Sequence, residues 1–393
     1  MRIEWLVAFY LFVSVAMILF NFVFLAYEKA REKRFVAKTK RLASDLSEEI
    51  ERNADFPTEA HKRILERKLR KLSGMESFDL TMQRLQELDA EKSDRYLRGI
   101  ATVFHRLTYY FAKKPDLKKA YFAYILKRWY RLRPASDTVT QTLLRFVREG
   151  SFYVRQNSLE ALASVADACA FADAVELIER GDDFHHPKLV TEAALSFAGD
   201  ADGLVAELTA RFDGLRPATQ AAVINYLRMS GKGDRVRLLQ LLKDDDAHLE
   251  VRLACVRYFM RNYWDPAEEP LRRLALTEDP ARWEYAAVAA TALASYPSME
   301  TFEALKRCLS STSWFVRHNA AKALHDWGLS LDDLDDVMHG SDSYARDMLR
   351  YRWELEGIAR AASDGMPSDR PPASPEDGGQ SGLPAAMEGG TAL

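Results

Sequence analysis

Two adjacent histidines, His185 and His186, stand ahead of Pro187, and as a pair they raise the question of a bound metal ion. A bound metal needs further ligands at matched spacing, and no HExxH, CxxC or similar arrangement accompanies them, so they read as a solvated turn and the start of a helix. Ser230-Gly-Lys-Gly233 has the residue types of a phosphate loop without the GxxxxGK[ST] spacing or a preceding strand, and reads as a helix end and turn. Asp244-Asp-Asp246 and Asp332-Asp-Leu-Asp-Asp336 lack the alternating ligands, central glycine and distal glutamate of a calcium loop. The three cysteines, Cys169, Cys255 and Cys308, lie far apart within apolar helical patterns, and are expected to be buried free thiols. No GxSxG elbow occurs. The residue types therefore lead away from catalysis: no enzyme activity, cofactor or metal is expected.

One patch could bind something. Tyr109-Tyr110-Phe111 is followed by Lys113, Lys114, Lys118, Lys119, Tyr121, Phe122, Tyr124, Lys127, Arg128, Trp129, Tyr130, Arg131 and Arg133. Aromatics interleaved with cations can stack bases and hold phosphates, or rest against anionic lipid headgroups. Helical periodicity produces the same interleaving when the rings are core and the cations solvated, and that reading is preferred; a membrane-surface or partner contact is the other. Nucleic acid is disfavoured as a partner, because 55 Lys and Arg stand against 58 Asp and Glu, a net charge of -3 rather than a basic excess.

These side chains sit on helices. Beyond residue 58 no run alternates like a strand for long, and apolar residues recur at three- and four-residue spacing almost to residue 360. A short pattern repeats within them: Ser313-Trp-Phe-Val316-Arg317-His-Asn-Ala320-Ala-Lys-Ala323-Leu324, Ser151-Phe-Tyr-Val154-Arg155-Gln-Asn-Ser158-Leu-Glu-Ala161-Leu162, and His248-Leu-Glu-Val251-Arg252-Leu-Ala-Cys255. Degenerate copies place the register at 154, 190, 220, 251, 283 and 316, with steps of 36, 30, 31, 32 and 33. So regular a period means a solenoid, in which helix pairs that cannot bury their apolar faces alone stack into one continuous core. Small residues such as Ala161, Ala287, Ala320 and Ala323 let helices approach closely, and breakers such as Arg216-Pro217 and Asp279-Pro280 fall between them.

The chain here resembles the HEAT-repeat family, in the variety whose second helix opens with Val-Arg and carries Ala-x-x-Ala-Leu. The resemblance covers about residues 140–330, and 91–135 more weakly through Arg95-Tyr-Leu97-Arg98-Gly-Ile-Ala101. It implies that the second helices line a concave face. It also implies that Arg155, Arg252 and Arg317 form a repeat ladder, tying neighbouring turns together through acidic side chains and carbonyls. The copies at 190 and 220 lack the arginine.

The N-terminus adds a different element. From Trp5 to Tyr27 the chain is almost unbroken apolar, and its length at 1.5 Å per residue comes to about 34 Å, enough for the roughly 30 Å hydrocarbon core of a bilayer. The run is too long for a secretory signal peptide and lacks a basic n-region and small residues at its end, so an uncleaved anchor is expected. Lys29, Arg31, Lys33, Arg34, Lys38, Lys40 and Arg41 follow it, against Arg2 alone before it, which puts the body in the cytoplasm. Asn21 and Ser14 are the clearly polar side chains of the span. Asn21 is either a contact to another membrane helix or hydrated near the interface.

The expected architecture is all-α: a single transmembrane helix (1–27), a basic juxtamembrane helical stalk (28–56) ended by Asp55-Phe-Pro57, a helical region with degenerate repeats (58–135), a HEAT-repeat α-solenoid (136–361) and a disordered tail (362–393). The fragment 58–361 is expected to fold without the anchor. The function expected is that of a scaffold in the cell membrane, single-pass with its C-terminal domain cytoplasmic, binding a membrane-associated protein partner. Similar anchored HEAT proteins of bacteria suggest by analogy an integral-membrane enzyme of envelope or polysaccharide synthesis. The alternative is a HEAT-like enzyme of the lyase or DNA glycosylase type, or a nucleic-acid or anionic-lipid binder.

Overall fold

The computed structural model describes residues 3–131, 136–181 and 184–364, and among them every regular element is helical. The first helix, α1, runs without a break from Ile3 to Asn53, 51 residues or about 77 Å at the α-helical rise. It passes through two environments. Its apolar first half is bare: Trp5, Phe9, Tyr10, Phe12, Phe20 and Phe22 are each at least 67% exposed. On its last four turns Leu42, Leu46 and Ile50 recur at four-residue spacing and are buried, so that one stripe faces protein.

That stripe packs on α3 (Leu72–Leu88) and α4 (Ala90–Gly99), with α2 (Glu59–Leu69) beside them. Polar links reinforce it: Lys38 Nζ donates to Ser73 Oγ at 2.8 Å, Lys68 pairs with Asp45 at 2.7 Å, and the Thr58 amide donates to Glu49 Oε1 at 2.7 Å. The segment expected as a helical stalk is, from Lys38 onward, the first core helix of the body. Its i, i+4 apolar residues needed a partner, and α3 and α4 supply one.

Eight helix pairs follow. They are α5 (Ala101–Phe111) with α6 (Asp116–Trp129), α7 (Asp137–Glu149) with α8 (Phe152–Ser164), α9 (Ala168–Arg180) with α10 (Pro187–Leu195), and α11 (Ala201–Arg211) with α12 (Pro217–Ser230). Then come α13 (Arg235–Lys243) with α14 (Leu249–Arg261), α15 (Glu268–Ala275) with α16 (Trp283–Leu293), α17 (Met299–Cys308) with α18 (Trp314–Asp326), and α19 (Asp335–Met338) with α20 (Ser343–Asp364). The even-numbered helices pack on one another in an unbroken layer from α6 to α20, while contacts in the odd-numbered layer thin out between α11 and α15. From α10 to α20 the approach is closer in the even layer, which makes that side concave. The inner helices owe it to small residues: Ala286, Ala289, Ala290, Ala320, Ala321 and Ala323 are all buried.

Local chemistry fixes the helix ends. Asp167, Asp200, Asp234 and Ser298 accept from the first free amides of α9, α11, α13 and α17. Gly231 closes α12 at φ 70°, a left-handed conformation that glycine adopts without cost.

Burial revises the repeat register at two degenerate copies. The core position of α12 is Thr219 rather than Gln220, which is only half-buried, and that of α16 is Ala286 rather than Trp283, which is 39% exposed. A 3-10 turn over Pro280–Arg282 precedes α16, and the core position falls three residues later than the repeat pattern places it. At the far end α20 continues to Asp364, past the expected boundary at 361; the remainder of the expected tail, 365–393, lies outside the described residues.

Candidate partner-binding surface

The Val-Arg arginines anchor turns. Arg155 Nη1 donates to Gly150 O at 3.1 Å, Arg252 Nε to Leu242 O at 3.2 Å, and Arg317 Nη1 to Ser311 O at 2.6 Å. Each acceptor lies at the crossing from the outer helix to the inner helix of the same pair, where the last carbonyls of the outer helix lack partners. Arg252 also meets Asp245 at 3.1 Å, which with Arg282 holds that carboxyl below its ordinary value. Arg252 and Arg317 also reach rings of the next pair: the Arg252 guanidinium lies 4.8 Å from the Tyr285 ring centre and that of Arg317 lies 5.5 Å from Tyr344. Between pairs, Asn157 and Asn319, each three residues after the core valine, donate to Ala120 O and Ala287 O on the preceding inner helix. The shared Val-Arg-x-Asn spelling was the available signal for those asparagines.

Most of the basic patch of α5 and α6 is engaged inside the protein. Trp129 is 2% exposed and its Nε1 donates to Asp79 at 2.7 Å, so it belongs to the core and not to a membrane surface. Burying its large ring between α3 and α6 is favourable only because Asp79 meets its N–H. Arg128 pairs with the same carboxylate at 2.9 Å, Lys127 with Glu160 at 2.8 Å and Arg131 with Asp94 at 3.0 Å. Lys119 lies 3.7 Å from Asp116, and Lys114 covers the Tyr110 ring at 4.3 Å. Lys118 is half-buried and Lys113 is exposed. Arg133 lies outside the described residues. Asn21 is exposed on the bare half of α1.

Two further residues depart from expectation. His185 is buried rather than solvated, and burial together with Arg155 and His186 pushes its imidazole down to about 4. Its neighbour His186 caps α10, accepting from the Lys188 amide at 3.1 Å. Cys169 is exposed, whereas Cys255 and Cys308 are buried and pushed up to about 12, which leaves their thiols protonated and unreactive.

A surface that no sequence motif marks lies at the entrance to the inner helices. The two residues ahead of Val-Arg are aromatic and outward-facing at both strong copies: Phe152 and Tyr153 at the first, Trp314 (45% exposed) and Phe315 (52%) at the last. At the C-terminal end they join. Trp283 stacks on Phe315 at 5.1 Å between ring centres, Phe315 meets Trp314 edge-on at 5.4 Å, and Trp314 stacks on His318 at 4.7 Å. Burial, with Arg352 and Lys322 nearby, keeps His318 below its ordinary value and so neutral at pH 7. Trp283, Trp314 and Phe315 border a groove of ≈ 610 Å³ between the turn after α15 and the turn after α17, with Cys308, Ala286 and Val316 at its floor. Exposed aromatics beside a concavity are the groups that anchor protein partners, since they bury much apolar area for little lost side-chain freedom. Among the described residues no cluster of His, Cys, Asp and Glu suits a metal.

The HEAT-repeat family matches this chain over residues 269–351, which include the groove and the helices that form it. No curated protein sequence matches the chain. Among solved structures, an engineered protein is similar over 82% of this chain and 98% of its own, at 17% identity and a TM-score of 0.32. Human deoxyhypusine hydroxylase in complex with glycerol is similar over 76% of this chain and 96% of its own, at 13% identity and a TM-score of 0.26.

Proposed function

We propose that this HEAT-repeat α-solenoid is a membrane-anchored scaffold, held by α1 on the cytoplasmic face of a membrane, that displays its C-terminal repeats to a protein partner. One observation carries the reading: α1 is bare and apolar at one end and part of the solenoid core at the other. A helix that exposes Phe, Leu, Val and Trp on all sides over such a length finds an apolar surrounding only in a bilayer. The seven cations between Lys29 and Arg41 favour a cytoplasmic body.

Because the same helix continues into the core, the anchor is a rigid post and not a loose tether. From Tyr27 to Lys38, where α1 first bonds to the body, the rise is about 16 Å. The partner surface supported best is the groove of Trp283, Trp314 and Phe315, which fits an apolar side chain of another protein. The role is binding and not catalysis; the protonated thiols of Cys255 and Cys308 favour this. By analogy alone, the partner is an integral-membrane enzyme of envelope or polysaccharide synthesis.

The test is capture from detergent-solubilised membranes by the full chain and by Trp314→Ala/Phe315→Ala. The scaffold reading expects a defined membrane protein with the wild type and its loss with the variant. Equal capture by both moves the binding surface elsewhere, and a chain extracted from membranes by carbonate alone overturns the anchor.

A further inference from the structure

Three arginines of the concave layer stand together with no carboxylate partner among the described residues. Arg228 lies in the last turn of α12; Arg257 and Arg261 lie one turn apart at the end of α14. The two helices pack directly, and Asn262 Nδ2 donates to Arg228 O at 3.1 Å, which seats the end of α14 against the Arg228 turn. Ala221, Asn225 and Arg228 on α12, and Glu250, Arg257 and Arg261 on α14, form the open stripes of helices whose other faces are buried. Glu250, the acid on the same stripe, is two turns from Arg257, about 10 Å along the helix.

Other half-buried arginines of this molecule are compensated. Arg211, also half-buried, is gripped by Asp173, Glu176 and Glu207, Arg272 by Glu268, and Arg128 by Asp79. Arg228, in contrast, has a buried Nε with no hydrogen-bond partner among the described residues. Burial and the charges of Arg257 and Arg261 depress its proton affinity, where carboxylates raise that of Arg211. Like charges at i, i+4 destabilise a helix, and an unpaired guanidinium loses solvation with nothing in return. An anion placed among the three would remove both penalties and meet their fork-shaped donors two at a time.

We propose that Arg228, Arg257 and Arg261, with the Asn225 amide beside them, form an anion site on the concave face that takes an acidic, carboxylate-bearing segment of the protein partner. This rests on the scaffold reading and adds a second, charged contact to the aromatic groove. The site lies open along the inner layer, which suits an extended segment. A lipid headgroup is the weaker candidate, because α14 lies five inner helices from the N-terminal helices that hold α1, about 40 Å at usual helix spacings.

The test titrates full-length protein in nanodiscs of uncharged lipid with a fluorescent peptide of alternating Asp and Glu, then with inorganic pyrophosphate and with phosphatidylserine vesicles. The site predicts salt-sensitive peptide binding, weakened about ten-fold or more in Arg257→Ala/Arg261→Ala. It predicts no change in Arg273→Ala, whose guanidinium is exposed and paired with Glu269. The exposed position also allows Arg261→Glu, which keeps the test decisive if the double variant unfolds. A melting temperature of Arg261→Gln at or above the wild type is expected, since one of three like charges is gone. Equal peptide binding by wild type and variants, or none by the wild type, overturns the site. Arginine-dependent binding of pyrophosphate or vesicles in place of the peptide overturns the acidic-segment assignment. Wild type and variants share the same α1 and the same groove, so a difference between them reports the arginines alone, and the scaffold reading stands or falls separately in the membrane capture.

Discussion

Lys38 donates to Ser73 across 2.8 Å, and this bond marks the level at which a helix that began as a bare apolar rod becomes part of a folded body. Below it Leu42, Leu46 and Ile50 are buried against α3 and α4. A helix joined this way transmits its orientation to the repeats, which a disordered linker would not do.

Truncation tests that continuity. A chain beginning at residue 58 loses three buried aliphatic side chains and exposes the faces of α3 and α4 that they covered, and is expected to aggregate or melt early. A chain beginning near residue 30 keeps them and should remain soluble with a cooperative melt. Leu46→Ala in that longer fragment should cost about 2–5 kcal/mol, the range for emptying a buried leucine site. Denaturant unfolding followed by circular dichroism measures it, and a cost near zero would mean that α1 is not part of the core.

Ala320 is completely buried at the contact between neighbouring inner helices. Ala320→Leu should overpack it and destabilise the fragment by about 1–3 kcal/mol, seen as a lower melting temperature. An unchanged melt would place Ala320 outside the helix contact.

Trp314 and Phe315 are about half exposed, so Trp314→Ala/Phe315→Ala should leave the melting temperature within a few degrees of wild type while partner capture falls. A large loss of stability would make these rings part of the fold instead of a surface.

Acid should weaken the protein in two stages. His185 is held at about 4 in the folded chain, and burial also lowers His61, His105 and His318. A histidine whose folded value is depressed is neutral in the native state. It costs nothing above about pH 6.5, and stability falls from there as the unfolded chain takes up protons the folded chain refuses. Carboxyls held low by their partners, such as Asp116 and Asp336, act only below their ordinary value near 4. The melting temperature should therefore already drop between pH 6.5 and 4, and less steeply in His185→Gln. A flat profile there would show that His185 is accessible to protons.

A reporter fused after residue 361 tests topology: activity of a cytoplasmic reporter and silence of an export-dependent one are expected. Reversing Lys29, Arg31, Lys33 and Arg34 should weaken the preference.

The periodic elements were legible in the sequence because helix period, helix ends and repeat length are local properties. Val154, Val251 and Val316 mark core positions, and Asp167, Asp200 and Asp234 cap helices within reach of their own side chains. The apolar run from Trp5 to Tyr27 likewise states its length and chemistry directly. What the sequence could not state was which distant residues share a neighbourhood. Leu42, Leu46 and Ile50 read as one side of a stalk until α3 and α4 closed on them, and the cations of α6 read as a patch until Asp79, Asp94 and Glu160 arrived from other helices. Trp283 and Phe315 are 32 residues apart in sequence but stack across two adjacent repeats. Arg228 and Arg257 come from different pairs, and only the packing of α12 on α14 brings them together. Pattern along one chain fixes which face of a helix is apolar; the stacking of helix on helix decides what that face meets, because burial and charge pairing depend on neighbours in space.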